Sequence, residues 1–177
     1  VAMKVNGSDI AHKPELGGVE LGVKTPDDAH RTYGELLERV GGKAAVDGII
    51  VAQMLAGGIE TILGVQIDPV FGPAVMFGLG GVFVEIFEDV SFRLAPFGKD
   101  EALAMIQETK GYRILAGTRG RPAADIDALT AALAALSEFA VRHADQLASI
   151  DVNPFVVLEK GRGAVALDCL VVPKLDD

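Results

Sequence analysis

The stretch that decides the fold is Ile150-Asp151-Val152-Asn153-Pro154-Phe155-Val156-Val157-Leu158, followed by Lys160-Gly161-Arg162-Gly163 and then Ala164-Val165-Ala166-Leu167-Asp168-Cys169-Leu170-Val171-Val172. Two apolar runs rich in β-branched residues, separated by a polar turn with two glycines, predict an antiparallel hairpin over 150–158 and 164–172. Residues at similar distances from such a turn lie opposite one another, so Asp151, Asn153 and Asp168 are expected close together. A carboxylate and an amide oxygen on neighbouring strands suit Mg²⁺, a hard ion that takes a few protein oxygens and completes its octahedron with phosphate and water. Spacing alone fits strand-end turn formers and a surface acid as well. The apolar run around Asp168 brings the two readings level, because a carboxylate in such a strand needs a partner or a metal to offset its desolvation.

Working back from that hairpin, Ile126, Leu129, Leu133, Leu136, Ala140, Ala144 and Leu147 recur at helical spacing and predict one long amphipathic helix capped by Asp125. Ala102, Met105 and Ile106 mark a shorter helix. Strands are expected over 48–54, 59–67 and 73–79, the last two joined by the turn Asp68-Pro69-Val70-Phe71-Gly72, and together they read as a β meander with further strands over 82–90. Near the start, 1–5 reads as a strand cut into rather than begun, 6–18 as a loop and 19–24 as a strand. Thr25 then caps a helix with Pro26 at its first position, Asp27 and Asp28 at its positive end, and Ala29, Tyr33, Leu36, Leu37 and Val40 on one face. Gly41-Gly42 ends it. The pattern is α+β, arranged as two small lobes over 1–54 and 55–177.

Composition narrows the function classes. Half the residues are apolar and 23% are charged, a globular balance and not a disordered one. The net charge is −9 and no Lys/Arg cluster is interleaved with aromatics, which argues against nucleic acid; a nucleotide can still be held locally by a few cations, backbone amides and a metal. Cys169 is the single cysteine and there are three histidines, so neither an intramolecular disulfide nor a zinc cluster is expected, and a reducing cytoplasm fits. The apolar runs are too short or too Gly-rich to predict a membrane span.

Asp151-Val152-Asn153-Pro154 followed by Asp168 resembles the acid-x-Asn-Pro and later Asp of the ATP-grasp domain of NDP-forming (ADP-forming) acyl-CoA synthetases, a family related to the succinyl-CoA synthetase β subunit. Other segments resemble it in order: Met3-Lys4-Val5-Asn6, His12-Lys13-Pro14-Glu15-Leu16-Gly17-Gly18-Val19, Ile50-Val51-Ala52-Gln53-Met54, Gly58-Ile59-Glu60, Asp68 to Pro73, Gly78-Leu79-Gly80-Gly81-Val82-Phe83-Val84-Glu85, Ser91 to Pro96 and Lys110-Gly111-Tyr112. Gly78-Leu79-Gly80-Gly81 is not a dinucleotide fingerprint, since Phe83 stands where the third glycine belongs. The resemblance implies an ATP-grasp fold with mixed and antiparallel sheets, lacking the segment that precedes the lysine strand.

The resemblance also implies roles. Lys4 would reach the nucleotide phosphates, Ala52, Gln53 and Met54 would read the adenine edge, and Glu60 would lie near ribose or phosphates. Asn153 and Asp168 would hold Mg²⁺ with ATP or ADP. His12 would carry a phosphoryl group as phosphohistidine, supported by Asp151, which stands where some relatives carry Glu. His30 and His143 match nothing, and Arg93 and Glu85 fit the lining of the same cleft no better than an ordinary cross-strand ion pair. The implied activity is that of an acid-thiol ligase: acyl-CoA + ADP + phosphate ⇌ carboxylic acid + CoA + ATP. A CoA-binding or CoA-ligase domain or subunit must supply the rest of the cycle, and an oligomeric assembly is expected. The alternatives are a succinyl-CoA synthetase β-type subunit, against which His12-Lys13-Pro14-Glu15-Leu16 argues, and a non-catalytic nucleotide-sensing or assembly module of the same fold.

Overall fold

The computed structural model describes residues 1–7, 16–41, 45–80 and 89–174. It divides into two compact units, Val1–Ala56 and Gly57–Asp177.

In the first unit, β1 (Ala2–Asn6) lies between β2 (Val19–Glu20) and β3 (Gly48–Ala52), antiparallel to both. Helix α1 (Pro26–Val40) starts as its sequence requires: the Thr25 hydroxyl oxygen accepts from the Asp28 amide at 3.1 Å, and Asp27 and Asp28 occupy the first turn. Thr32, Leu36 and Val40 are its buried residues, and Met3, Val5 and Val23 complete a small core. Two expectations are corrected. Tyr33 is 48% exposed and lies off the buried stripe, which runs through Thr32 instead. The 48–54 strand stops at Ala52, is half-buried to exposed throughout, and pairs with β1, so it does not open the meander.

The second unit is built on a larger antiparallel sheet. Strands β4 (Ile59–Asp68), β5 (Gly72–Leu79) and β6 (Val90–Leu94) form the meander, and β4 pairs on its other side with β7 (Leu147–Val157). The order is β6-β5-β4-β7-β8, with β8 (Ala164–Ala166) and β9 (Leu170–Pro173) both pairing with β7. Helices α2 (Lys99–Glu108), α3 (Tyr112–Leu115) and α4 (Ile126–Arg142) supply Met105, Ile106, Leu115, Leu129 and Leu133 to a core that also holds Leu63, Val65, Val75, Phe77, Ile150 and Val152 of the sheet. Inward residues alternate with outward ones along β6 and over 150–153 of β7, whereas β4 is buried without interruption from Thr61 to Val65. Glu60, Gln66, Phe92, Asp151 and Asn153 are accordingly exposed. The long helix ends at Arg142 rather than continuing to Leu147, which begins β7.

Asp125 ties two of these parts together. Its carboxylate caps α4 through the Ala128 amide at 3.1 Å and accepts the Gly161 and Gly163 amides of the β7–β8 turn at 2.9 and 2.8 Å. Chiefly through Gly163, these bonds hold its carboxyl below the usual carboxylate range. A depressed carboxyl contributes stability that is present above its unfolded pKa and is lost as pH falls through the folded value. Asp125→Asn is therefore expected to lower Tm at neutral pH and to flatten the loss of Tm on acidification below pH ~4, as thermal melts across that range would read.

Candidate functional site

The site begins on the outward face of β7. Asp151 pairs with Gly64 of β4 on one side and Leu170 of β9 on the other. Asp168 lies in the three-residue break between β8 and β9, not inside a continuous strand, and its apolar neighbours Val165, Leu167, Leu170 and Val171 are exposed. The expectation of an apolar strand pressing on its carboxylate is thereby corrected. The register nevertheless runs unbroken across the gap: Phe155 is opposite Ala166 and Asp151 is opposite Leu170, so the position opposite Asn153 is that of Asp168. The Leu167 amide donates to the Pro154 carbonyl at 3.0 Å and holds the break against β7. Freed from the ladder, half-buried Asp168 accepts the Cys169 amide at 3.0 Å through Oδ1.

Two acidic side chains, Asp151 and Asp168, share this corner. Partial withdrawal from water, and then the charge of Asp168, push the Asp151 carboxyl up from its ordinary value. The Cys169 thiol is raised for the same reasons, desolvation first and then Asp168 and Asp151. Two carboxylates with an amide oxygen at the register opposite Asp168 are a donor set of the kind a hard divalent cation takes. Among the described residues no group of three or more His, Cys, Asp and Glu side chains is placed to hold a metal ion.

Glu60 stands exposed near the start of β4 and lines a cavity of about 300 Å³ together with Gly58, Gly80 and Arg121. The strand starts where it does because Gly58, at φ +93°, approaches β7 so closely that an added Cβ would lie 2.4 Å from Val156 Cγ1. Gly58→Ala is expected to cost about 2–4 kcal/mol, combining a left-handed backbone with overpacking against a stiff side chain. Urea unfolding would measure it.

The structure thus brings Asp151, Asn153 and Asp168 together and sets Glu60 on the adjoining strand. In the first unit, Lys4 is half-buried on β1 between Val19 and Ile50, Ala52 ends β3 opposite Ala2, and Gln53 and Met54 follow exposed. His12 and Glu85 lie outside the described residues. Arg93 is turned to the helices, where it bridges Glu101 and Glu108 of α2, a strand-to-helix ion pair. Arg121, which sequence reasoning passed over, shares the Glu60 cavity; its only signal was the turn Thr118-Arg119-Gly120-Arg121, since nothing local to either residue links it to Glu60.

A profile described as an ATP-grasp domain matches residues 1–172. The chain belongs to the ATP-grasp family. This ATP-grasp chain is 44% identical over 168 residues to an acetate–CoA ligase [ADP-forming] I of Archaeoglobus fulgidus, covering 93% of this chain and 24% of that protein. It is 41% identical over 177 residues to an acetate–CoA ligase [ADP-forming] II subunit beta of Pyrococcus furiosus, covering 98% of this chain and 75% of the subunit. Among solved structures it superposes at a TM-score of 0.85 and 35% identity, covering 98% of this chain and 76% of the other, on a Ca. Korarchaeum cryptofilum dinucleotide forming acetyl-coenzyme A synthetase 1. That protein was captured with coenzyme A and Mg-AMPPCP, its phosphohistidine segment pointing towards the nucleotide binding site. The ATP-grasp chain therefore spans about a quarter of the Archaeoglobus relative and three quarters of the Pyrococcus subunit. No helix among its described residues is long and apolar enough to cross a membrane.

Proposed function

We propose that this ATP-grasp chain is the nucleotide-binding and phosphoryl-transfer module of an ADP-forming acyl-CoA synthetase, acting with a CoA-binding domain or subunit on an acyl-CoA or its carboxylic acid. The observation that carries the proposal is the Asn153–Asp168 register beside Asp151, in a chain so similar to ADP-forming acetate–CoA ligases. Asn153 and Asp168 would hold Mg²⁺, which when bound neutralises charge on the transferring phosphoryl group. Lys4 would add a point charge on the nucleotide phosphates, Ala52, Gln53 and Met54 would read the adenine edge through their backbone, and Glu60 would accept from ribose hydroxyls. His12 would take the phosphoryl group on one ring nitrogen while Asp151 accepts from the other and fixes the tautomer.

In the synthetic direction the His12 imidazole nitrogen forms a bond to phosphorus as the phosphorus–oxygen bond to ADP breaks, and ADP leaves; the reverse step makes ATP. The module would work in the cytoplasm as part of an oligomer. The test is an assay of the whole protein with its CoA-binding region: acetyl-CoA, ADP, phosphate and Mg²⁺ should yield ATP and free CoA together, neither forming without the other. Tight Mg-ATP binding with no turnover of any acyl-CoA would instead mark a nucleotide-sensing module.

A further inference from the structure

We propose that Arg121 binds the phosphate next to the ribose of the nucleotide, an inference that rests on the nucleotide reading of Glu60 given above. The loop that carries Arg121 is braced from several sides. Thr118 and Arg121 exchange both backbone hydrogen bonds, at 3.1 and 2.9 Å, and the Ala124 amide donates to Leu115 at 2.8 Å. The Lys160 amide donates to Ala123 at 2.9 Å, which fastens the loop to the turn beyond β7. Gly117 packs so close that an added Cβ would lie 3.0 Å from the Ala123 nitrogen. The guanidinium is therefore presented from a fixed backbone, the condition for an arginine to act as a positioned fork and not a drifting charge.

Two carboxylates of the described residues line its cavities, Glu60 one and Glu159 the other. Arg31, Arg39 and Arg93 each rest on one or more carboxylates. Among the described residues none pairs with Arg121. Instead Arg121 lines two adjoining cavities of about 300 and 260 Å³, which share Gly58 and Ile59. In the larger one the other charged group is Glu60, and the bare backbone of Gly58 and Gly80 forms much of the wall. A lone inorganic anion suits this cavity poorly, because Glu60 repels it. The ligand that satisfies both ends carries hydroxyl donors for a carboxylate and, a few bonds away, an oxyanion for a guanidinium. A ribose with its adjoining phosphate has that arrangement, and the planar fork of arginine matches phosphate oxygens two at a time.

Calorimetry on the full protein, with ADP, ATP and adenosine in the presence of Mg²⁺, tests the assignment. Arg121→Ala is expected to weaken ADP and ATP by the same factor, about tenfold or more, the size of one charge-assisted contact, and to leave adenosine unchanged. Arg121→Lys should recover part of the loss. Arg119→Ala, on the same turn but lining neither cavity, should bind like wild type. The inference is overturned if Arg121→Ala binds ADP as wild type does, if adenosine weakens as much as ADP, or if Arg119→Ala reproduces the defect. Wild-type protein that binds no Mg-nucleotide at all would overturn the nucleotide reading as well; wild type that binds, with Asp168→Asn weakened and Arg121→Ala intact, would overturn the Arg121 assignment alone.

Discussion

His12→Ala is expected to abolish acid-labile phosphoryl labelling when the whole protein is incubated with γ-labelled ATP and Mg²⁺. A phosphorus–nitrogen bond to imidazole is cleaved by acid, whereas a phosphoserine or phosphothreonine survives it, so the lability reports the atom that was labelled. The other two histidines make poor substitutes. His30 is an exposed residue of α1, and the His143 ring lies against Phe139, tilted by 38° with ring centroids 4.4 Å apart, at the end of α4. Neither stands in a glycine-bordered stretch of sequence like the one around His12. Mg-ATP binding should be retained in the variant, which separates loss of the phosphoryl acceptor from loss of the nucleotide. Equal labelling of His12→Ala and wild type would sink the relay.

Asp168→Asn is expected to weaken Mg-ATP by on the order of tenfold to a hundredfold, at least the cost of disturbing a ligand's support and here applied to a proposed ligand. The substitution keeps the shape and one oxygen acceptor, so the Cys169 amide retains a partner and the break between β8 and β9 has no reason to move. What it removes is the negative charge opposite Asn153, the same charge that helps to raise the Asp151 carboxyl. Metal-free nucleotide should lose far less, and calorimetry with and without Mg²⁺ distinguishes the two. Unchanged affinity and stoichiometry with Mg²⁺ would move the metal elsewhere.

Much of this was legible because it is local. The turn Lys160-Gly161-Arg162-Gly163 sets the hairpin register, and that register puts Asp168 opposite Asn153 even though the ladder fails there. The caps at Thr25 and Asp125 follow from side chains that reach their own helix's first amides. The second duty of Asp125, gripping the amides of Gly161 and Gly163, was not legible, because its partners are far along the chain.

Sequence by itself determined the strand and helix periods, the caps, the hairpin register and the resemblance that singles out Lys4, His12, Glu60, Asn153 and Asp168, because each depends on residues a few positions apart or on a matched pattern. Tertiary structure alone decided that 48–52 joins the sheet of β1 and not the meander, that Asp168 sits in a break, and that Arg93 turns to α2 while Arg121 lines the same cavity as Glu60. Strand partners and side-chain neighbours are chosen by which faces bury together, and a short apolar run such as Ile49-Ile50-Val51 is equally compatible with several partners until packing selects one.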